Sequence, residues 1–133
     1  KKIDFYNASK ATNVAATCSA INSFKKVILI AGGSEKGDSF EPLKEYSDVI
    51  IETYLIGATA KKIAYCLRNT CAISICNSLQ EAVEKSFNKS ISTGKFYPIL
   101  FSPACASYDN YKNFEQRGQH FKEIFKIVKR RAA

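Results

Sequence analysis

The 133-residue sequence contains no methionine and no apolar run close to the ~20 residues that a membrane-spanning helix requires. The missing run excludes such a helix, and we predict no membrane partner. The missing initiator methionine and the abrupt start at KKIDFYN predict a fragment of a longer protein. A length of 133 residues corresponds to one domain, 1–133.

Metal-binding and catalytic cysteine patterns are also missing. Three of the five cysteines form a C-x4-C-x4-C series at positions 66, 71 and 76, whereas zinc sites pair cysteines as C-x2-C. The only histidine, His120, falls in the last predicted helix and cannot easily orient Cys105 as a nucleophile. We therefore predict no metal site, no Cys–His pair, and buried, reduced thiols in a cytoplasmic protein.

Acidic residues are scarce relative to basic ones, with 12 Asp and Glu against 20 Lys and Arg, which gives a net charge of +8. A basic protein suits an anionic partner such as nucleic acid, a nucleotide or an acidic metabolite. The last helix carries a run of basic residues, for which a solvent-exposed face is the simpler interpretation. These residues are Lys122, Lys126, Lys129, Arg130 and Arg131. Because no RNP or helix-turn-helix pattern accompanies them, we predict no nucleic-acid partner.

Short apolar segments alternate with amphipathic ones along the whole chain. Strands are predicted at 3–6, 26–31, 48–56, 71–75 and 95–101, and helices at 13–24, 40–46, 59–67, 79–88 and 113–129. Thr59 and Ser78 are predicted to cap two of these helices. The alternation predicts a three-layer, Rossmann-like α/β domain with a mostly parallel sheet of about five to six strands and helices on both faces.

Three loops that follow predicted strands are rich in small and polar residues, namely 7–13, 32–38 and 102–109. In an open parallel sheet, loops at the carboxyl ends of strands line one crevice. Lys10 and Lys36 lie in the first two, so together the loops predict a pocket for a small anion. Taken singly, the first loop is more typical of an ordinary helix start with a surface lysine, and the second is equally compatible with a turn. Neither a P-loop nor a G-x-G-x-x-G fingerprint occurs.

The segment FEQRG at 114–118 follows the third loop. Glu115 and Arg117 are predicted to form an internal ion pair or a hydrogen-bonded brace for that loop. Gly118 inside a helix costs about 1 kcal/mol relative to alanine, which predicts close packing against the sheet.

Three motifs together resemble the carboxyl-terminal domain of the Mur ligase family, most closely its D-glutamate-adding branch. They are SKATN at 9–13, GG-x-x-K at 32–36 and SPACAS-x-D-x-[FY]-x-x-FEQRG-x-x-F at 102–121. The similarity covers essentially the whole chain. It implies a cytoplasmic, ATP- and Mg²⁺-dependent ligase of peptidoglycan precursor synthesis, and hence of cell-wall biogenesis, cell shape and division. Such an enzyme converts UDP-N-acetylmuramoyl-L-alanine to an acyl phosphate, which the amine of D-glutamate then attacks.

The resemblance also implies roles for individual residues. Thr12, Lys36, Ser107 and Phe114 would bind D-glutamate, while Lys10 and Asn7 would face the nucleotide and phosphate. No catalytic or metal-binding residue is expected within this domain, because ATP and Mg²⁺ are bound mainly by upstream central and amino-terminal domains. The isolated domain is therefore expected to be inactive.

The chain departs from the family pattern at one position. Ala8 stands where the family has an acidic residue before Ser-Lys. In the family this acidic residue contacts the nucleotide ribose, so the resemblance does not imply a ribose contact for Ala8.

Three alternatives remain open. One is a Mur ligase with another specificity, such as a lysine- or diaminopimelate-adding relative. Another is a free-standing nucleotide-binding regulatory α/β domain, for which only Asp38 and Asp109 lie near strand ends as phosphoacceptors. The third is a small basic module that binds nucleic acid, with an affinity that falls steeply with salt.

Overall fold

A computed structural model describes residues 2–34, 37, 39–107 and 111–132. The strands are β1 (Phe5–Asn7), β2 (Val27–Gly32), β3 (Ile50–Ile56), β4 (Ala72–Ile75) and β5 (Ile99–Phe101). The helices are α1 (Val14–Ile21), α2 (Ala60–Leu67), α3 (Leu79–Ser92) and α4 (Phe114–Ala132), with a 3₁₀ helix at Glu41–Tyr46. All strands pair in parallel, in the order β1-β5-β2-β3-β4. The predicted α/β class and strand number are confirmed.

Each face of the sheet is covered by its own set of helices, as predicted. Strand β2 is buried along its whole length and presents alternate side chains to the two sides, so its apolar run is continuous. Ile28 and Ile30 pack in one core with residues of α3 and α4, including Phe121. Leu29 packs in the opposite core with residues of α1, α2 and the 3₁₀ helix, including Ile63.

Strand β5 is shorter than predicted, because the pattern over 95–101 yields a strand only at Ile99–Phe101. Pro98 has no N–H to donate to a strand ladder, and Phe96 has a φ of 53°, which extended backbone does not allow. The carbonyl of Tyr97 instead accepts a hydrogen bond of 2.7 Å from the Ser90 hydroxyl of α3. The apolar residues before Ile99 therefore form a connection against α3.

One of the two predicted caps is confirmed and the other is wrong. The Ser78 hydroxyl accepts a hydrogen bond of 3.1 Å from the Glu81 N–H and caps α3, which runs four residues beyond its predicted end at Asn88. Thr59 precedes α2 without a side-chain capping bond. Its hydroxyl instead accepts a hydrogen bond of 3.1 Å from the Gly33 N–H, so it serves the loop after β2. In the described part of the chain, no helix is long and apolar enough to cross a bilayer.

Candidate functional site

The strand order places the three predicted loops next to one another. Strand β5 lies between β1 and β2, so the loops at 7–13, 102–109 and 32–38 leave adjacent strand ends at the same edge of the sheet. This edge is where parallel α/β sheets bind ligands.

The loop after β5 is hydrogen-bonded to both of its neighbours through backbone groups. On the side of β1 the Ala104 N–H donates to the Ala11 carbonyl at 3.0 Å. On the side of β2 the bonds run from the Gly32 N–H to the Pro103 carbonyl at 2.8 Å and from the Ser34 N–H to the Ala106 carbonyl at 2.7 Å. The three loops therefore form one connected surface.

The buried side chain of Arg117 links the first and third of these loops. Its side chain is only 1% exposed, and one terminal nitrogen, Nη1, donates to the Ala106 carbonyl at 3.0 Å. The other, Nη2, donates to the carbonyls of Ser9 at 3.2 Å and Cys105 at 2.9 Å. The planar fork of a guanidinium suits this task, because its donors can bind several carbonyls at once. The predicted brace is confirmed, but it binds backbone carbonyls, and Glu115 is exposed.

Gly32 and Gly33 of the second motif allow the backbone of this loop to lie close to neighbouring segments of the chain. A Cβ atom on Gly33 would lie 2.3 Å from the Ala106 carbonyl oxygen and 2.9 Å from Nη1 of Arg117. A Cβ atom on Gly32 would lie 2.0 Å from the Ile56 carbonyl oxygen at the end of β3. Both glycines thus pack this loop against its neighbours.

Two of the residues predicted to bind D-glutamate, Thr12 and Ser107, belong to the connected loops. Thr12 is half-buried next to Asn13, the cap of α1, and its N–H donates to the Lys10 carbonyl at 2.9 Å. Ser107 is 2% exposed, and its carbonyl accepts a hydrogen bond of 2.8 Å from the Tyr111 N–H. The other predicted positions at this edge, Lys36, Asp38 and Asp109, lie outside the described residues.

An open cavity of about 340 Å³ lies between the loop after β1 and the first turns of α4. Three of the predicted site residues line it, namely Asn7, Lys10 and Phe114. The other lining residues are Ser9, Glu115, Gly118, Gln119 and Lys122. Thr12 and Ser107 are not among the lining residues, so the structure divides the predicted residues between this cavity and the connected loops.

Gly118 forms part of the cavity wall because its backbone packs against the end of β1 and the loop that follows. A Cβ atom there would lie 2.3 Å from the Ser9 hydroxyl oxygen and 3.2 Å from Nδ2 of Asn7. The predicted close packing of Gly118 is confirmed, with its contacts at the end of one strand.

Lys122 is a basic lining residue that sequence reasoning missed. It was assigned to the solvent-exposed basic face of the last helix. Residues 114, 118 and 122 are spaced i, i+4 and i+8, so they share one face of α4. That spacing would have placed Lys122 on the same face of α4 as Phe114 and Gly118, two residues of the third motif.

Burial disfavours the reactive thiolate form of four of the five cysteines, because it raises the pKa of their thiols. All five are free, and burial raises the pKa of Cys18, Cys71 and Cys76 and, with a hydrogen bond to Glu41, that of Cys66 to about 11. Cys76 and Cys105 are buried as predicted, whereas the other three are half-buried.

His120 takes no part with Cys105. Its Nδ1 lies 2.6 Å from the Tyr111 hydroxyl, and the Cys105 thiol lies 3.3 Å from the Thr59 hydroxyl. Among the residues that the structure describes, no group of three His, Cys, Asp or Glu side chains is arranged to hold a metal ion.

Comparison with known proteins finds close relatives in sequence. The chain is 45% identical over 129 residues to the UDP-N-acetylmuramoylalanine–D-glutamate ligase of Natranaerobius thermophilus, an alignment that covers 92% of the chain. It is 40% identical over 121 residues to the ligase of that name from Rhodopseudomonas palustris, and 34% identical over 129 residues to the one from Wolbachia pipientis. These two alignments cover 90% and 97% of the chain. The chain spans about a quarter of each relative's length, with values of 27%, 26% and 25% in the same order. No protein-family model matches the chain.

Proposed function

We propose, from the homology of this chain to part of the D-glutamate-adding Mur ligases, that it is the carboxyl-terminal, amino-acid-binding domain of such an enzyme. The complete protein would use ATP to convert the carboxylate of UDP-N-acetylmuramoyl-L-alanine to an acyl phosphate. The amine of D-glutamate would then attack the acyl carbon and release phosphate as the amide forms. The complete protein would then act in the cytoplasm, in the synthesis of peptidoglycan precursors.

The edge formed by the three loops would hold D-glutamate. This substrate carries two carboxylates, which suit the ammonium group of Lys36, the hydroxyl groups of Thr12 and Ser107, and backbone N–H donors. Phe114 would fix the other end of the substrate together with Ser107. Attack of an amine on an acyl phosphate is promoted chiefly by holding the two groups together in the correct orientation. The Arg117 brace supports this role, because it keeps the first and third loops in a fixed relation.

The nucleotide would meet this chain through its phosphates. Lys10 and Asn7 line one cavity at the end of β1, which suits contact with an anion. Ala8 offers no carboxylate for a ribose contact. By the same homology, Mg²⁺ and most of the ATP would be bound by the central and amino-terminal domains of the complete protein.

One observation carries the proposal. The three loops that bear the motifs are hydrogen-bonded into a single surface at the carboxyl edge of the sheet, in a chain 34–45% identical to named D-glutamate ligases. The names of these relatives favour D-glutamate over the amino acids of other Mur ligases.

Phosphate release by the full-length protein tests the proposal. The reaction would contain ATP, Mg²⁺ and UDP-N-acetylmuramoyl-L-alanine, with D-glutamate, L-glutamate, L-lysine or diaminopimelate added singly. Of the four amino acids, we expect only D-glutamate to support turnover. We expect no turnover when UDP-N-acetylmuramoyl-L-alanine is omitted. Turnover with a different amino acid would support the ligase activity but contradict D-glutamate as the substrate. No turnover with any of the four amino acids would contradict the ligase activity itself. Residues 1–133 alone are expected to be inactive in the same assay.

A further inference from the structure

We infer that the cavity between the loop after β1 and α4 is a phosphate-binding site in which Lys122 acts together with Lys10 and Asn7. This inference rests on the proposed function for the source of the phosphate, and it adds a binding residue on α4. The cavity has a volume of about 340 Å³, which lies in the range that holds small ligands.

The amide oxygen of Asn7 is bound within its own loop, which leaves the NH₂ group beside Gly118 in the cavity wall. Its Oδ1 accepts a hydrogen bond of 3.1 Å from the Ser9 N–H and a second one from the Ser9 hydroxyl. Because both donors bind the oxygen, the NH₂ group occupies the other side of the amide, where it faces Gly118. In the described chain this NH₂ group has no hydrogen-bond partner. Ser9 thus positions Asn7 to donate to a ligand.

Two ammonium groups approach the same cavity from different walls. Lys10 belongs to the loop after β1, whereas Lys122 projects from the third turn of α4. Within residues 2–34, 37, 39–107 and 111–132, neither lysine has an ion-pair or hydrogen-bond partner. Glu115 is the one carboxylate in the lining, so lysines outnumber carboxylates. Two unpaired cations and an oriented amide donor favour an anion over a neutral or cationic ligand.

The type of anion can be inferred from which proposed binding residues line the cavity and which do not. Of the described residues proposed to bind D-glutamate, Thr12 and Ser107 are not lining residues, and Phe114 lines the cavity with a side chain that has no hydrogen-bond donor. The other anionic groups that the ligase must bind are the phosphates of ATP, and the diphosphate and the alanine carboxylate of the uridine substrate. A phosphate group can accept hydrogen bonds from several donors at once, which matches two lysines and an amide.

Equilibrium binding to the full-length protein tests this site, using Lys122→Ala, Lys122→Arg and a matched control, Lys126→Ala. Lys126 is also exposed on α4 but does not line the cavity, and its replacement removes the same charge. The ligands are a non-hydrolysable ATP analogue with Mg²⁺ and UDP-N-acetylmuramoyl-L-alanine, each measured by calorimetry. We expect Lys122→Ala to weaken one of the two by about twofold to fivefold, the loss typical of an ion pair at a solvent-exposed position. Lys122→Arg should retain most of the affinity, and the D-glutamate KM should not change.

The two ligands distinguish the source of the phosphate. Weaker binding of the ATP analogue alone assigns the site to the nucleotide, and weaker binding of the uridine substrate alone assigns it to the diphosphate. The inference is overturned if Lys122→Ala binds both ligands like the wild type, if Lys126→Ala causes an equal loss, or if the wild type binds neither ligand. Binding does not require turnover, so a protein with no ligase activity but with Lys122-dependent phosphate binding would refute the proposed function and retain this site.

Discussion

Replacement of Arg117 by leucine is expected to destabilise the domain by about 3 kcal/mol or more. The side chain is 1% exposed and donates to carbonyls in two loops, so leucine removes charged hydrogen bonds and leaves buried carbonyls without that donor. Hydrogen–deuterium exchange of the full-length protein measures the effect locally. Peptides that cover 102–107 should exchange faster, and the thermal unfolding midpoint should fall.

Two further variants make the Arg117 prediction specific. Arg130→Leu removes the same charge from an exposed position on α4 and should leave exchange at 102–107 unchanged. Arg117→Lys should behave more like the leucine variant than like the wild type, because one ammonium group does not reproduce the fork of a guanidinium. Wild-type exchange and an unchanged midpoint in Arg117→Leu would contradict the role of Arg117 as a brace.

Gly32→Ala is expected to have an effect of similar size. Gly32 has a φ of 120°, and a Cβ atom would lie 2.0 Å from the carbonyl oxygen of Ile56 and 2.9 Å from its nitrogen. Both obstacles are backbone atoms at the end of β3, so they cannot rotate away as a flexible side chain would. We expect a loss of at least about 3 kcal/mol, visible as low soluble yield or a much lower unfolding midpoint.

Gly94→Ala separates the effect of a positive φ from the effect of the contact with Ile56. Gly94 also has a positive φ, 71°, but a Cβ atom there would meet nothing within 4 Å. This control should lose only the cost of the left-handed backbone, about 1–2 kcal/mol. Equal losses in the two variants would show that the contact with Ile56 contributes nothing.

Much of the fold follows from local patterns. The apolar runs of β2 and β3 predict strands within two residues of their observed bounds, because strands buried on both faces need continuous apolar sequence. The same pattern fails at β5, where Pro98 and the left-handed Phe96 interrupt an apolar segment. Alternation of strands and helices predicts a parallel sheet, whereas the position of β5 between β1 and β2 depends on pairings distant in sequence.

The candidate site was predictable where a motif names its residues. Phe114 is distant in sequence from Asn7 and Lys10 but lines the same cavity, and the brace role of Arg117 was anticipated. Its carbonyl partners were not, because a sequence pattern does not reveal which backbone groups lack donors. Thr59 was assigned as a cap from its position, although its hydroxyl binds the distant Gly33 N–H. Lys122 was missed because its basic neighbours suggested a uniform solvent-exposed face.

The central claim is that the three loops bind D-glutamate, and the D-glutamate KM of full-length Lys36→Ala tests it most directly. A charged hydrogen bond to a carboxylate contributes about 1.5–3 kcal/mol, so this KM should rise by about tenfold or more. The KM values for ATP and for UDP-N-acetylmuramoyl-L-alanine should change little, and the control Lys95→Ala, exposed before β5, should match the wild type. A D-glutamate KM in Lys36→Ala equal to that of the wild type would contradict the account.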